Sequence, residues 1–203
     1  MTDQPKPFAP LGSTAVRMAL ALFVLCGILY PLAVVGAGQA LFPGPANGSL
    51  IVQDGRVVGS SLIGQAVSGP AWFWDRPSAT PGEPYNASDS GGSNLGPTNR
   101  ALMGAIRTAE GRLVRYQPAL SPGQIPANLV TSSGSGLDPD ITPAAARLQV
   151  PRISRYAHVP ASVLLALIRK GTRLPTLGLY GHARVNVLKL NLALQSWERA
   201  HRR

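Results

Sequence analysis

The sequence predicts a single N-terminal transmembrane helix followed by a mixed α+β extracytoplasmic domain. Three observations lead to this expectation: a long run without charged residues near the N-terminus, basic residues before that run, and a Gly- and Pro-rich remainder in which strand-like and helix-like patterns alternate. The predicted boundaries are a cytoplasmic N-terminus at residues 1–17, a transmembrane helix at 18–38 and a periplasmic or other extracytoplasmic domain at 39–203.

The transmembrane helix is predicted from residues 18–35, MALALFVLCGILYPLAVV, of which ten are Leu, Ile, Val or Phe. No Asp, Glu, Lys or Arg occurs from Met18 to Gln53. Ten such side chains contribute on the order of −3 to −6 kcal/mol to insertion, and a span needs roughly 20 mostly apolar residues. Pro31 lies within the run, and membrane helices tolerate proline.

The orientation of the helix is predicted from its flanking charges. Lys6 and Arg17 precede the run, and the first base after it is Arg56. The positive-inside rule therefore places the N-terminus in the cytoplasm and the domain outside. The alternative is a cleaved signal peptide, with Val35-Gly36-Ala37 as a weak cleavage signal. Because the apolar core of a signal peptide spans only about 7–15 residues, the longer run favours a retained anchor.

Composition describes a loop-rich globular domain. The chain has 203 residues, of which 14% are charged, 22 are Gly and 19 are Pro. This length leaves room for about one domain after the membrane span. Cys26 is the single cysteine and lies in the apolar run, so an intramolecular disulfide is excluded.

The net charge of +10 comes from the C-terminal third. Residues 141–203 contain eleven bases and one acid, Glu198, whereas residues 54–140 contain six bases and seven acids. Such a surface can face anionic membrane lipid or an acidic partner, or it can simply be solvated. Nucleic acid is not expected as a partner, because the domain is predicted to lie outside the cytoplasm.

A β-hairpin is predicted at residues 47–60. The apolar runs Leu50-Ile51-Val52 and Val57-Val58 flank Asp54-Gly55, a pair that accepts the positive φ angles of a type I′ turn.

Two further short strands are predicted, at Phe73-Trp74 and at residues 128–131. Residues 79–99 are rich in Gly, Ser, Asn and Pro and predict a long loop. Since long loops in compact domains are often functional, we expect this loop to be an interaction surface.

Helices are predicted from apolar spacing and end signals. One covers residues 99–116, and another begins at Thr142-Pro143 and is interrupted at Pro151. The faces predicted to be buried are Leu102, Ile106 and Leu113 in the first helix, Val163, Leu164, Leu167 and Ile168 in a third, and Val187, Leu190, Leu194 and Trp197 in the last.

The third helix is predicted to begin at Pro160 and to stop at Gly171 in a left-handed C-cap, with Arg169 and Lys170 in its last turn. Asn186 is predicted to cap the last helix.

The sequence lacks the common nucleotide-binding and nucleophile motifs. None of the three lysines follows a glycine, so a phosphate-binding P-loop is excluded. Ser90-Gly91-Gly92-Ser93-Asn94 can present backbone amides to an anion, but a structural turn is the favoured interpretation. No serine has the spacing of a hydrolase nucleophile elbow.

Metal ligands are also poorly represented. His158, His182 and His201 lack ligand spacing. Asp138-Pro139-Asp140 can hold a hard cation, but an acidic turn before a helix explains it more simply. The sequence thus predicts no catalytic, cofactor-binding or metal-binding residue, which favours a binding or structural role.

Longer phrases of the sequence are more specific than these motifs. In order along the chain they are Tyr30-Pro31, Asn47-Gly48-Ser49-Leu50-Ile51, Ser61-Leu62-Ile63-Gly64-Gln65, Phe73-Trp74-Asp75-Arg76-Pro77-Ser78-Ala79-Thr80, Pro84-Tyr85-Asn86, Ser90-Gly91-Gly92-Ser93-Asn94-Leu95, residues 137–145 (LDPDITPAA) and residues 185–194 (VNVLKLNLAL). Together they closely resemble KdpC, the C-subunit family of the Kdp potassium-transporting ATPases. The resemblance runs from the span to the last helix; His182, where an acid or amide is expected, is a small departure.

The resemblance implies a non-catalytic accessory subunit of an ATP-driven potassium import complex in a bacterial inner membrane. The implied partners are a channel-like subunit that selects potassium, a P-type ATPase subunit and a further small subunit. The resemblance also implies a role in assembly and a chaperone effect that raises the ATP affinity of the ATPase subunit. ATP and potassium are then handled by the partners, and the chain needs no cofactor of its own.

The predicted topology separates the domain from cytoplasmic ATP, so an effect on ATP affinity must be transmitted as a coupling free energy. A role at the extracellular ion entrance fits this topology better. The alternative is a membrane-anchored periplasmic enzyme or binding protein, which the absence of nucleophile and metal motifs disfavours.

Overall fold

The computed structural model describes residues 11–201, and these divide into two compact units that meet between Ser49 and Leu50. Lys6 and most of the predicted cytoplasmic N-terminus lie outside the described residues.

The first unit is a long apolar helix, α1, at Leu11–Leu41. Its 31 residues rise about 46 Å at 1.5 Å each, which is enough to cross a hydrocarbon core about 30 Å thick. None of its most apolar 18-residue stretch is buried against the rest of the chain, so its surface is available to lipid. Length and composition thus agree with the predicted single transmembrane helix.

A wider, π-helical segment occupies Phe23–Leu29 within α1. It ends two residues before Pro31, whose ring lacks an N–H and would clash with the carbonyl four residues earlier in a regular helix. A widened turn accommodates this proline without ending the helix. A single helical turn at Pro43–Ala46 follows, and the side-chain amides of Gln39 and Asn47 hydrogen-bond to each other.

The second unit is a mixed α+β domain, as predicted. Its strands are β1 (Leu50–Gln53), β2 (Arg56–Ser60), β3 (Asp140–Ile141), β4 (Thr172–Arg173) and β5 (Arg184–Asn186). Its helices are α2 (Arg100–Tyr116), α3 (Pro143–Leu148), α4 (Val150–Ala157), α5 (Ala161–Gly171) and α6 (Val187–His201), with 3₁₀ turns at Pro122–Gln124 and Ala127–Leu129.

The strands form two antiparallel sheets, a β1-β2 hairpin and a three-stranded sheet in the order β3-β5-β4. Asp54 and Gly55 close the hairpin with φ angles of 51° and 74°, which confirms the predicted turn.

Side-chain caps start the helices where the sequence predicts them. Asn99 accepts a hydrogen bond from the backbone of Ala101 at 2.8 Å, Thr142 from Ala145 at 3.2 Å, and Asn186 from Lys189 at 3.0 Å. The interruption near Pro151 is also confirmed, since α3 ends at Leu148 and α4 begins at Val150 with the proline in its first turn.

The core lies between these helices and the three-stranded sheet. Its most deeply buried apolar members, each at most 1% exposed, are Phe73, Ile141, Ala145, Ala146, Ile153, Val159, Leu164, Ile168, Val185, Val187 and Leu194. The predicted faces of α5 and α6 are confirmed, since their apolar positions line this core. On α2, Leu113 is buried and Ile106 is packed against the core at partial exposure.

Phe73 and Trp74 are buried but form no strand, contrary to prediction. Two buried side-chain amides do what a neighbouring strand would do. Asn191 accepts from the N–H of Phe73 and donates to its carbonyl, both at 2.9 Å, while Gln149 bonds the N–H and carbonyl of Trp74 at 2.8 and 3.0 Å. Buried backbone groups must be paired, and here Asn191 of α6 and Gln149, between α3 and α4, supply the partners.

Two smaller predictions are wrong. Residues 127–129 form a 3₁₀ turn rather than a strand, because their apolar residues Leu129 and Val130 are buried at a turn closed by local hydrogen bonds. Gly171 is the last residue of α5 and has no left-handed conformation. The chain passes directly into β4, because Thr172 must be extended to pair with Val185.

Replacement of Asn191 by Leu tests the amide pairing. It leaves the buried N–H and carbonyl of Phe73 without partners, at about 1–3 kcal/mol for each group. We expect the free energy of unfolding to fall by about 2–6 kcal/mol, measured by denaturant titration of the full chain in detergent with tryptophan fluorescence. The control Ser196→Ala changes an exposed residue of the same helix and should alter stability by less than about 0.5 kcal/mol. Equal stability of the two variants would contradict the role of Asn191.

Candidate functional site

A cavity of about 430 Å³ lies between α2 and the segment around Trp74. Ala105, Ala109 and Arg112 of α2 line one side, and Asp75 and Tyr85 line the other. A volume of this order is within the range of small-molecule sites.

Two guanidinium groups lie over the indole ring of Trp74. The central guanidinium carbon of Arg112 is 3.9 Å from the ring centroid, and that of Arg152 is 3.7 Å from it. The indole N–H donates to the carbonyl of Gly69 at 2.7 Å, and the ring of Tyr116 meets the indole edge-on at 5.7 Å. This arrangement fixes Trp74 at the cavity wall through cation–π and aromatic contacts.

Arg152 is 1% exposed, and no carboxylate among the described residues pairs with it. It donates instead to the carbonyls of Pro70 and Trp72 and, at 2.6 Å, to the side-chain oxygen of Gln149. Burial, and secondarily the neighbouring Arg112, lower the pKa of Arg152 to about 9. The guanidinium therefore acts as a structural donor that ties α4 to the segment before Trp74.

Asp75 lines the cavity and forms no salt bridge with a described residue. Its carboxylate accepts the backbone N–H of Arg76 at 2.8 Å, but the guanidinium of Arg76 turns to Asp138 at 3.0 Å. Burial, reinforced by Asp138 and Asp140, raises the pKa of Asp75 to about 7, against the lowering effect of its hydrogen bond to Arg76. Asp75 thus gains a proton near neutral pH.

Tyr85 closes the same end of the cavity. Its hydroxyl donates to the backbone carbonyl of Arg76, and its pKa is raised by burial and by Asp75. Asp75 and Tyr85 come close to the backbone at Gly64, where an added Cβ would lie 2.6 Å from the Tyr85 ring and 2.8 Å from the Asp75 carboxylate. A residue with a side chain at position 64 would therefore clash with Tyr85 and Asp75, which explains the glycine.

The predicted long loop is confirmed, since residues 79–99 contain no helix or strand. Its glycine-rich part is packed against residues 133–136: the N–H of Gly91 donates to Ser135 at 3.0 Å, and an added Cβ on Gly92 would lie 2.9 Å from the carbonyl of Gly134. The Gly91 amide is thus engaged within the fold, which supports a structural turn over an anion cradle. A role of the loop as an interaction surface stays a prediction.

Asp138-Pro139-Asp140 is used by the fold in the same way. Asp138 pairs with Arg76 at 3.0 Å and Asp140 with Arg184 at 3.1 Å. Within residues 11–201, no three His, Cys, Asp or Glu side chains converge as metal ligands. His158 follows α4, His182 precedes β5 outside any helix or strand, and His201 ends α6.

Sequence reasoning missed this cavity and its polar residues. Asp75 and Arg76 belong to one of the phrases that carry the resemblance. Nothing in the sequence shows that Arg76 forms its salt bridge with the distant Asp138 and leaves the adjacent Asp75 without one. Gln149 and Arg152 carried a usable signal: they lie three residues apart next to the apolar Val150 and Ile153, and polar residues on a buried helical face indicate internal hydrogen bonds.

Asp75→Asn tests the state of this carboxyl. Because the pKa of Asp75 is raised in the folded protein, folding favours its protonated form, and ionisation lowers stability as pH rises from about 4 to about 7. We expect the variant to lose this decline and to exceed the parent chain at pH 8 by about 1–4 kcal/mol, measured by denaturant titration across pH. The exposed Asp89→Asn is the control; a parallel pH profile for parent and Asp75→Asn would contradict the inference.

Comparisons with known proteins agree with the resemblance carried by the quoted phrases. The family model described as "KdpC: K+-transporting ATPase, c chain" matches residues 13–196. A protein of Polaromonas naphthalenivorans is 53% identical over 188 residues, which cover 89% of this chain and 94% of that protein. Proteins of Variovorax paradoxus and Geobacter sulfurreducens are 51% and 49% identical, covering 91% and 90% of this chain and 97% and 95% of theirs.

Each of these relatives is named as the KdpC subunit of a potassium-transporting ATPase. The match spans the membrane helix and nearly the whole domain. The chain therefore belongs to the KdpC family of potassium-transporting ATPase subunits.

Proposed function

We propose that the chain is a non-catalytic accessory subunit that assembles and stabilises an ATP-driven potassium import complex. Family membership makes it a subunit of potassium import. The observation that supports a non-catalytic role is the use of its polar side chains: Gln149, Asn191, Arg76 and Asp138 are all bonded to partners inside the domain.

The partners are a channel-like subunit that selects potassium, a P-type ATPase subunit and a further small subunit. The helix α1 lies in the bacterial inner membrane, with its N-terminus in the cytoplasm and the domain outside. Arg17 before the apolar run and Arg56 as the first base after it support this orientation. Potassium and ATP are bound by the partners.

An effect of this subunit on the ATP affinity of the ATPase subunit is then indirect. ATP is cytoplasmic and the domain is outside, so the two sites communicate through α1 or the partner subunits. Coupling of this kind is typically about 1–3 kcal/mol, or roughly 5- to 150-fold in affinity.

A small-molecule binding role is the second candidate, and the cavity beside Trp74 is the observation that favours it. Its wall combines apolar side chains with Asp75 and Arg112, which is a usual composition for a ligand site. Direct binding of ATP by the chain would support this alternative.

The orientation is tested by adding protease to intact spheroplasts that express the chain with a C-terminal epitope. Because the domain is outside, we expect loss of the epitope without lysis. A cytoplasmic protein serves as the control for intact cells. Protection of the epitope until lysis would overturn the orientation.

The subunit role is tested by deleting the chain in its own host. Potassium uptake at limiting external potassium should be abolished, because the complex is not held together, and the parent chain should restore growth. A chain that ends at Ser49 separates the helix from the domain and should not restore growth. Normal growth of the deletion strain would refute the assembly role.

Calorimetry of the purified full chain with ATP tests the alternative in parallel. The proposal expects no stoichiometric binding, since the sequence contains no P-loop and the N–H of Gly91 is already bonded to Ser135. Tight, stoichiometric binding by the chain alone would favour direct contact with the nucleotide.

A further inference from the structure

The hairpin that joins β4 to β5 carries four large apolar side chains at its end. Leu174, Leu177, Leu179 and Tyr180, which we call the apolar tip, are 69–84% exposed. They are the four most exposed large apolar side chains among residues 50–201. Neighbouring exposed apolar residues of this size are uncommon on a free surface and mark a contact site.

Backbone hydrogen bonds hold the apolar tip in one conformation. Thr176 and Tyr180 exchange two hydrogen bonds of 2.9 and 3.0 Å, and the N–H of Gly178 donates to Pro175 at 3.0 Å. Leu177 has a φ of 54°, in the left-handed region that a leucine rarely adopts. Strain of this kind persists where the surroundings impose it and often accompanies function. The side chain of Leu177 at this position is 84% exposed.

Bases surround the root of the same hairpin. Arg173 of β4 and Arg184 of β5 are cross-strand neighbours, and Arg169 and Lys170 lie in the last turn of α5, which precedes them. Arg184 pairs with Asp140, whereas Arg169, Lys170 and Arg173 make no salt bridge with a described residue. From Ile141 to Trp197 the sequence contains no acid. The residues around the root of the hairpin that carries the apolar tip are therefore positively charged.

We propose that the apolar tip inserts into an apolar cleft rimmed by carboxylates on another subunit of the transporter. Interfaces place apolar anchors at the centre and charged groups at the rim, and the rim here is basic, so its complement is acidic. A lipid bilayer imposes no shape on what it receives, whereas a protein cleft rewards a preorganised tip. The ordered, strained turn therefore favours a protein occupant.

This inference rests on the proposed subunit role and names the element that makes the contact. Photocrosslinking tests it directly. A p-benzoylphenylalanine replaces Leu177 in the full chain, expressed with the complete transporter in cells, and Val57 on the other hairpin, 59% exposed, is the matched control.

After irradiation and purification of the complex, we expect Leu177 but not Val57 to give an adduct with one transporter subunit. Mass spectrometry should map the adduct to an apolar segment with Asp or Glu beside it. An adduct with lipid alone, an adduct with a second copy of this chain, or no adduct in an intact complex would each overturn the inference. If the unsubstituted chain does not purify with the transporter, the subunit role itself fails, which is a separate result.

Charge and polarity variants give the energetic test. Leu177→Asp combined with Leu179→Asp should weaken recovery of the complex roughly 30-fold, as expected for a central contact, and Arg173→Glu should weaken it less and in a salt-dependent way. Val57→Asp is the control. All four side chains are exposed, so circular dichroism of each variant should match the parent. Unchanged recovery for the double variant would overturn the inference.

Discussion

The fold of the domain depends on how its central extended segment satisfies its backbone. Phe73 and Trp74 run through the core with no neighbouring strand, and each peptide N–H or carbonyl buried there without a partner would cost about 1–3 kcal/mol. Asn191 from α6 and Gln149 from the junction between α3 and α4 remove that cost by bonding both the N–H and the carbonyl of one residue each. Helix α6 and the α3–α4 junction are thereby tied to one extended segment.

Arg152 likewise provides hydrogen-bond partners for the backbone just before Phe73. Its donors reach the carbonyls of Pro70 and Trp72 and the side chain of Gln149, and its guanidinium lies over the ring of Trp74. A buried cation without a carboxylate is tolerated because carbonyl oxygens and an aromatic face replace its water. These contacts fix the position of the segment from Pro70 to Trp74, and so also the position of Asp75 in the cavity wall.

The surface of the chain shows where the molecule is incomplete by itself. The helix α1 is apolar on every side, and the apolar tip of the domain exposes leucines above unpaired bases. Elsewhere in the described domain the large apolar side chains are less exposed, at most 61% for Val52. Under the proposed role, the first feature suits contact with lipid and the second suits contact with a partner subunit.

Sequence patterns by themselves determined the elements that local interactions decide. A charge-free apolar run predicts α1, Asp54-Gly55 predicts a turn with positive φ angles, and the caps Asn99, Thr142 and Asn186 start their helices because each bond spans two or three residues. The resemblance carried by ungapped phrases predicted the family in the same way.

Only the tertiary structure decided what depends on contacts between distant residues. Asn191 and Phe73 are 118 positions apart and Gln149 and Trp74 are 75 apart, so no local pattern could show that side-chain amides replace a strand. The same holds for Asp75, which is unpaired because Arg76 turns to Asp138. Apolar periodicity reports that a residue prefers burial, whereas the partner of a buried polar group is chosen by the packing of the whole domain.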